Sequence, residues 1–288
     1  DNYLYLTCTS PAMPADIYDV TVTLDTFGRV LEADGVVTYS GTPPINTITT
    51  MQTLTADACK TAPFADTAGN NIYTLKDSRD NKSYKIAHLA DGNCWMVQNL
   101  ALDGGRTLTP ADSNVTSDVA LPANKSSGDS SSYSEMQVFN KLSGYDGNYY
   151  NWCSAITISN CYGTTTKVST SICPKNWQLP NGSNDNPSYN ILFDASRINN
   201  LDTNNEKIAA IEGLPYSFSA AGTYAKWGGT TTYVGQGQYG TYWTNTGGGE
   251  SSPHLAMCFT YFKDGSYFLP FNAYGKFLAS SVRCVFGS

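Results

Sequence analysis

The residues of this chain with the widest chemical repertoire are its cysteines, because a thiolate can bind a metal, attack as a nucleophile or pair as a disulfide. No two have the CxxC spacing of zinc ribbons, and only His88 and His254 could complete a mixed metal site. We therefore predict a disulfide framework and an exported protein. The cysteines allow on the order of a hundred pairings and are eight in number: Cys8, Cys59, Cys94, Cys153, Cys161, Cys173, Cys258 and Cys284.

The histidines and carboxylates form no recognisable catalytic pattern. His88 lies in the alternating stretch YKIAHLA, and His254 follows a Ser-Pro dipeptide in a predicted loop. Neither lies near a GxSxG nucleophile elbow, and no spacing singles out a carboxylate pair for glycoside hydrolysis. A GxxxxGK[ST] phosphate loop is also missing from the sequence. We predict no catalytic residue, no bound metal and no cofactor.

The low content of charged residues argues against some classes of binding partner. Only 14% of the residues are charged, and the net charge is −7 at pH 7. The basic residues occur singly, which argues against a nucleic-acid partner, since phosphate recognition needs clustered Lys and Arg. No stretch approaches the roughly 18 apolar residues of a membrane span. The chain begins at Asp1, and we expect a mature product of export, with any signal peptide already removed.

The alternation of apolar and polar residues predicts two regions. In VTVTLDTFGRVLEADGVVTYSG, valine and leucine alternate with polar residues around two turn signals, which predicts short strands. GTPPINTITT, at 41–50, predicts an extended connector because two prolines fix the backbone and remove donors. We predict a β-rich extension and connector over 1–50 and a domain over 51–288. Within that domain, SYNILFDASRI and NNEKIAAIEG are the predicted helices.

A series of ordered motifs in the second region carries a family resemblance. YTLKDSRDNKSYKIAHLA predicts a hairpin around Asp80 and Asn81, and DGNCWMVQNLAL follows it directly. YYNWC, ICPKNWQLPNG, TYWTNT and SVRCVF come later, in that order. From residue 51 to residue 288 the chain resembles the bacterial major paralogous domain family first named for Fibrobacter succinogenes.

This resemblance implies an α+β fold related to the C-type lectins and the formylglycine-generating enzymes. Such a fold has a small twisted antiparallel sheet, two short helices and long irregular loops. Aromatic rings must supply the buried area in a chain poor in Leu and Ile. Trp95, Trp152, Trp177 and Trp243 are therefore predicted to be packing residues, whereas Trp227 lies in a glycine-rich loop and suits packing or ligand contact equally. The EPN and QPD signatures of calcium-binding lectins are absent from the sequence.

Spacing supports one disulfide, Cys153 with Cys161, because seven intervening residues suit a closed turn. The family resemblance and elimination imply the others: Cys59 with Cys94, Cys173 with Cys284, and Cys8 with Cys258. The formylglycine-generating enzymes bind copper through two cysteines that are close in sequence near the end of the chain. Cys258 and Cys284 are 26 residues apart, which departs from that pattern.

Two functions from different classes remain open. The first is an exported cell-surface binding or adhesion protein whose Tyr- and Trp-rich loops contact a glycan or a protein, since these side chains give large contact area at low entropic cost. Its predicted contact residues are Trp227, Tyr233, Tyr239, Tyr261 and Tyr267. The second is a structural subunit of an extracellular filament or surface layer. In that case the β-rich extension adds strands to a neighbouring copy and forms a homopolymer.

Overall fold

The computed structural model describes residues 23–24, 30–32, 44–127, 134–227 and 230–286. For residues 23–24, 30–32, 226–227 and 230–231 it describes the backbone alone. The chain divides into two compact units, Asp1–Pro43 and Pro44–Ser288. In the first unit, β1 (Thr23–Leu24) and β2 (Val30–Glu32) pair antiparallel, in the stretch where alternation predicts strands.

The second unit is mixed α+β, with mostly antiparallel sheet and a few short helices. Its helices are α1 (Ala56–Thr61), α2 (Trp152–Ile156), α3 (Ser188–Ala195) and α4 (Asn204–Glu212). Its strands are β3 (Ile72–Lys76), β4 (Ser83–His88), β5 (Cys94–Met96), β6 (Thr107–Leu108), β7 (Val119–Ala120), β8 (Val138–Phe139), β9 (Tyr149–Asn151), β10 (Trp177–Gln178), β11 (Thr223–Trp227), β12 (Thr230–Val234), β13 (Tyr239–Gly247), β14 (Leu255–Phe262), β15 (Phe268–Gly275), β16 (Ala279–Ser280) and β17 (Val285–Phe286).

Residues 44–54 belong to the core of the second unit, so the prediction of an extended connector is wrong for its described part. Two 3-10 turns, Ile45–Thr47 and Met51–Thr53, replace the extended chain. Residues three apart share one side of such turns, and those on this side are buried: Ile45, Ile48, Met51 and Leu54. The compact unit therefore begins ahead of the predicted boundary at residue 51. The three-residue spacing of these apolar side chains, and not the proline pair before them, determines the structure of this segment.

The predicted hairpin forms the edge of a five-stranded sheet with the order β10-β17-β5-β4-β3. β3 and β4 pair antiparallel, with Leu75 opposite Tyr84. Asn81 supplies the turn with a positive φ of 61°, which Asn adopts more readily than most residues. β17, the last strand of the unit, pairs with β5 on one side and β10 on the other. A strand from the end of the chain thus lies inside this sheet.

Besides the two-stranded sheet of β6 and β7, the described part of the unit has two further sheets. One has the order β12-β11-β16-β9-β8, and the other is a three-stranded meander of β13, β14 and β15. The predicted helices α3 and α4 are confirmed, and their Phe193 and Ile211 share a buried cluster with Phe259 of β14. α4 begins with a capping box, in which Thr203 and Glu206 satisfy each other's backbone N–H groups. The helices therefore cover one face of the meander.

Four tryptophans fill the core, as predicted. Each indole N–H also has an acceptor, which a buried Trp requires because a donor without a partner is costly to bury. Trp152 donates to the carbonyl of Thr244, and Trp243 donates to that of Tyr150. The remaining two indoles bond to Asp91 and to the Met51 carbonyl. The four are at most 1% exposed: Trp95, Trp152, Trp177 and Trp243.

The structure confirms three of the predicted disulfides, which suit an extracellular protein. They are Cys59–Cys94, Cys153–Cys161 and Cys173–Cys284. The predicted bond between Cys8 and Cys258 is not made: Cys258 has a free, buried thiol, and Cys8 lies outside the described residues. The Cys258 side chain lies in the core cluster that contains Trp243, and its sulfur is 3.6 Å from the Thr260 hydroxyl.

Candidate functional site

The two histidines occupy structural or solvated positions. His88 is buried, its Nδ1 donates to the Ala62 carbonyl at 2.6 Å, and its ring stacks on Phe64 with centroids 4.3 Å apart. His254 lies exposed in the loop before β14. Within the described part of the chain, no group of three or more His, Cys, Asp and Glu side chains could hold a metal ion. Burial raises the pKa of the Cys258 thiol to about 12, so the nucleophilic thiolate is scarce at neutral pH.

An aromatic row lies at one end of the meander, on the face opposite the helices. Tyr239 on β13 and Phe262 on β14 are directly paired, and their rings stack with centroids 5.1 Å apart. Tyr267, in the turn before β15, meets the edge of the Phe262 ring at 5.5 Å. The turn is closed by Phe262 N–H, which donates to the Tyr267 carbonyl at 2.9 Å. We call Tyr239, Phe262 and Tyr267 the aromatic row.

The aromatic row is anchored at one end and open at the other. The Tyr239 hydroxyl bonds to the Thr223 hydroxyl at 2.9 Å, and a Cβ on Gly235 would lie only 1.8 Å from the Tyr239 ring. Because Gly235 has no side chain, its backbone can lie directly against the Tyr239 ring. Tyr267 is 53% exposed, and Phe262 is half-buried between the two tyrosines. A ligand would meet Tyr267 first, on rings whose orientation is already fixed.

The other predicted contact residues lie elsewhere. Tyr261 is fully buried and donates to Glu212 at 3.1 Å, so its assignment to a ligand-contacting loop is wrong. Side chains alternate across a strand, and Tyr261 therefore faces the helices while Phe262 lies on the opposite face. Tyr233 packs on Tyr224 and donates to the Asn140 carbonyl at 2.7 Å, away from the aromatic row. The side chain of Trp227 lies outside what the structure describes.

Sequence reasoning missed Phe262, because no local pattern says which of the adjacent Tyr261 and Phe262 is buried, and the answer comes from the pairing of β13 with β14. Gly240 lies directly opposite Tyr261 in the pairing of β13 with β14. A Cβ on Gly240 would come within 2.4 Å of the Tyr261 ring. A glycine facing a tyrosine across an antiparallel pair makes room for the ring, and this marks Tyr261 as the inward residue. Phe262, the next residue, must then lie on the opposite face, at the half-buried end of the strand.

β15 forms an open edge beside the aromatic row. In the described part of the chain it pairs with β14 alone. Its sequence, FLPFNAYG, carries no charge, and Phe271 within it is 38% exposed. The register of the pair shifts between Cys258 and Thr260, where Pro270 and Phe271 form the bulge. Pro and bulges are common protections of an edge strand, whereas an uncharged edge with an exposed Phe favours contact with another chain.

A polar pocket of about 240 Å³ lies apart from the aromatic row. It is bounded by the turn before β5, by the end of β10 and by the start of α3, and it includes Asp91, Asn93 and Ser188. The Asp91 carboxylate accepts from the Trp95 indole and from the Asn93 side-chain amide, both at 2.9 Å. Burial raises the pKa of Asp91. The carboxylate is thus held by neutral donors.

No described helix is of a length and apolar character to cross a membrane. Comparison of the chain with protein-family models, with curated proteins and with solved structures gave no match.

Proposed function

We propose that this chain is an exported, disulfide-stabilised binding or adhesion protein of the cell surface, and that the aromatic row contacts a glycan or protein partner. The observation that carries the proposal is the row itself: Tyr267 is 53% exposed at the end of a stacked series held on paired strands. Rigid aromatic rings bind with little loss of side-chain entropy. We also propose, on the ordered motifs, that the second unit is a major paralogous domain with a C-type lectin-like fold.

Binding is favoured over catalysis by what surrounds the reactive groups. His88 is committed to a backbone carbonyl, and Cys258 is buried with a raised pKa. General acid–base catalysis needs a titrating side chain within reach of a reacting proton. The aromatic row offers contact area instead of such a group, and it suits stacking against a sugar ring or packing against an apolar protein surface.

The test compares two exposed tyrosines. Tyr267→Ala removes the open end of the aromatic row, and Tyr162→Ala removes a tyrosine that is 45% exposed in another part of the unit. Binding to a glycan array and to intact cells should fall by about tenfold or more for Tyr267→Ala, as expected of an aromatic contact residue. The Tyr162→Ala variant should bind like the wild type. Equal binding by both variants would remove the support for this surface.

A second candidate function, the structural subunit of a filament or layer, is favoured by the open edge of β15. An added strand can pair with such an edge through main-chain hydrogen bonds. The donor in this proposal is the β-rich segment of another copy, from the unit that ends at Pro43. The β15 edge would then carry a neighbouring chain in place of a soluble ligand.

Assembly is tested by imaging purified material and by size-exclusion chromatography. Phe271→Lys puts a charge on the edge strand, and a charge there opposes strand addition. We expect this variant and a chain that starts at Pro44 to remain monomeric while the full chain forms polymers. A full chain that is monomeric at all concentrations would contradict the assembly function and would leave the binding function standing.

A further inference from the structure

The polar pocket beside α3 contains a hydrogen-bond acceptor, the Asp91 carboxylate, whose orientation is fixed by its neighbours. Asp91 Oδ2 accepts from the Trp95 indole and the Asn93 amide, and Oδ1 accepts from Asn93 N–H at 3.3 Å. Trp95 is 1% exposed, so this side of the carboxylate is fixed by the core. A carboxylate has about four lone-pair positions, and these three bonds leave room for one more donor. The Asp91 carboxylate is therefore held in a fixed orientation and can accept one more hydrogen bond.

Other residues that line the pocket supply hydrogen-bond donors. The turn from Asn181 to Ser188 is stabilised internally: Asn181 Nδ2 donates to Ser183 Oγ and to the Asn186 carbonyl, at 2.9 and 2.8 Å. Asn181 N–H donates to Ser188 Oγ at 2.8 Å, so the Ser188 hydroxyl keeps its own proton for donation. The Asn186 side-chain amide and the Lys167 ammonium are exposed at this pocket.

The mixture of groups selects the chemistry of the ligand. One carboxylate facing one ammonium disfavours a divalent cation, which needs several oxygen ligands and is repelled by Lys167. Asp91 likewise repels a phosphate or sulfate. Neighbouring hydroxyl groups, which each donate and accept, match a wall that alternates carboxylate, amide, hydroxyl and ammonium. Ile191 adds an apolar patch to the lining, which suits the C–H face of a sugar.

We propose that this pocket binds a single hexose residue of a glycan, with a sugar hydroxyl donating to Asp91 and with Lys167 and Asn186 bonding to neighbouring hydroxyls. The site is separate from the aromatic row and does not depend on it. A pocket of about 240 Å³ is below the range typical of drug-sized ligands. It therefore recognises one sugar unit.

The experiment uses the full chain and amide NMR, with methyl α-mannoside, methyl β-galactoside and N-acetylglucosamine as probes. At least one sugar should shift the side-chain amide signals of Asn93 and Asn186 in a saturable way. Lys167→Met should weaken that sugar about tenfold, as expected for the loss of one charge-assisted hydrogen bond. Lys175→Met, at an exposed lysine that does not line the pocket, should leave the affinity unchanged.

The proposal would be overturned if none of the three sugars shifts the Asn93 and Asn186 signals, or if Lys167→Met binds like the wild type. It would also be overturned if glycine, a zwitterion, shifts the same signals while the sugars do not. Tyr267→Ala gives an independent reading, since it should leave sugar binding at the pocket unchanged. If Tyr267→Ala abolishes the sugar-induced shifts, the pocket is not the site.

Discussion

At the scale of single residues, the least expected feature is a fully buried lysine. Lys276 Nζ lies within hydrogen-bond distance of the carbonyls of Cys161 and Tyr162 at 2.9 Å, of Thr164 at 2.7 Å and of Pro253 at 2.6 Å, and these four acceptors share its three N–H groups. It also lies 4.7 Å from the centre of the Trp152 ring, a cation–π distance. The ammonium is held by backbone carbonyls and a ring, with no carboxylate among these contacts. It joins the loop before β14 to the turn closed by a disulfide.

Replacing Lys276 should strongly reduce the stability of the folded protein. Lys276→Met removes the donor from one buried and three partly buried carbonyls, and a buried carbonyl without a donor costs about 1 to 3 kcal/mol. We expect the free energy of unfolding to fall by at least about 3 kcal/mol, measured by chemical denaturation. Lys175→Met, at an exposed lysine, should change it by less than about 0.5 kcal/mol. A Lys276→Met variant as stable as the wild type would show that the carbonyls find other partners.

The free thiol of Cys258 makes a chemical prediction. Because the side chain is buried and its pKa is raised to about 12, iodoacetamide should not label it in the folded protein at neutral pH. The same thiol should react fully once the chain is unfolded. Peptide mass spectrometry under non-reducing conditions measures both states. Recovery of Cys258 in a bond with Cys8 would restore the predicted fourth disulfide and contradict the structure.

At the scale of elements, a glycine before β13 controls the aromatic row. Gly235 has a φ of 74°, and an added Cβ would lie 1.8 Å from the Tyr239 ring. Gly249 has a φ of 84° and nothing within 4 Å of its Cβ position. The two positions share the backbone strain that a side chain would meet and differ in the contact with the ring.

Gly235→Ala should therefore cost more than Gly249→Ala. The control should lose about 1 to 2 kcal/mol from the left-handed backbone alone, whereas Gly235→Ala must also displace Tyr239. We expect a lower melting temperature for Gly235→Ala and a changed near-ultraviolet circular dichroism signal from tyrosine. Equal effects of the two substitutions would mean that Tyr239 moves aside at no cost.

These elements also show what the sequence could predict. The hairpin of β3 and β4, helices α3 and α4 and the four core tryptophans follow from local pattern, because turn residues, helical periodicity and ring size act over a few residues. The inward face of β14 does not follow from pattern. Tyr261 and Phe262 are adjacent and both aromatic, so alternation says that they face opposite ways and not which one is buried. The helices behind the sheet decide that, and they come from a distant part of the sequence.

At the scale of the whole molecule, the disulfides close loops of different length. Cys173–Cys284 spans 111 residues, Cys59–Cys94 spans 35, and Cys153–Cys161 spans 8. A cross-link removes more entropy from the unfolded chain when its loop is longer. The longest loop joins the segment before β10 to the segment before β17, which are neighbouring strands of one sheet.

The order of stabilisation should follow the order of loop length. Replacing both cysteines by alanine should cost about 2 kcal/mol more for the Cys173–Cys284 pair than for the Cys153–Cys161 pair, with the third pair between them. Denaturant unfolding of the three double variants measures this. A larger loss of unfolding free energy from the Cys153–Cys161 pair would contradict this order. It would mean that this disulfide stabilises the folded state directly, by holding the carbonyls that surround Lys276 in place.

The position of β17 has a consequence for how the protein is made. Residues 285 and 286 fill a gap between β5 and β10, and they follow every other strand of the unit in the chain. A ribosome or an export channel that releases the polypeptide from its N-terminus delivers this strand last. Until then β5 and β10 have no partner between them, and Cys173 has no partner thiol. The unit therefore closes in a late step, before which the edges of β5 and β10 must be kept from pairing with another copy.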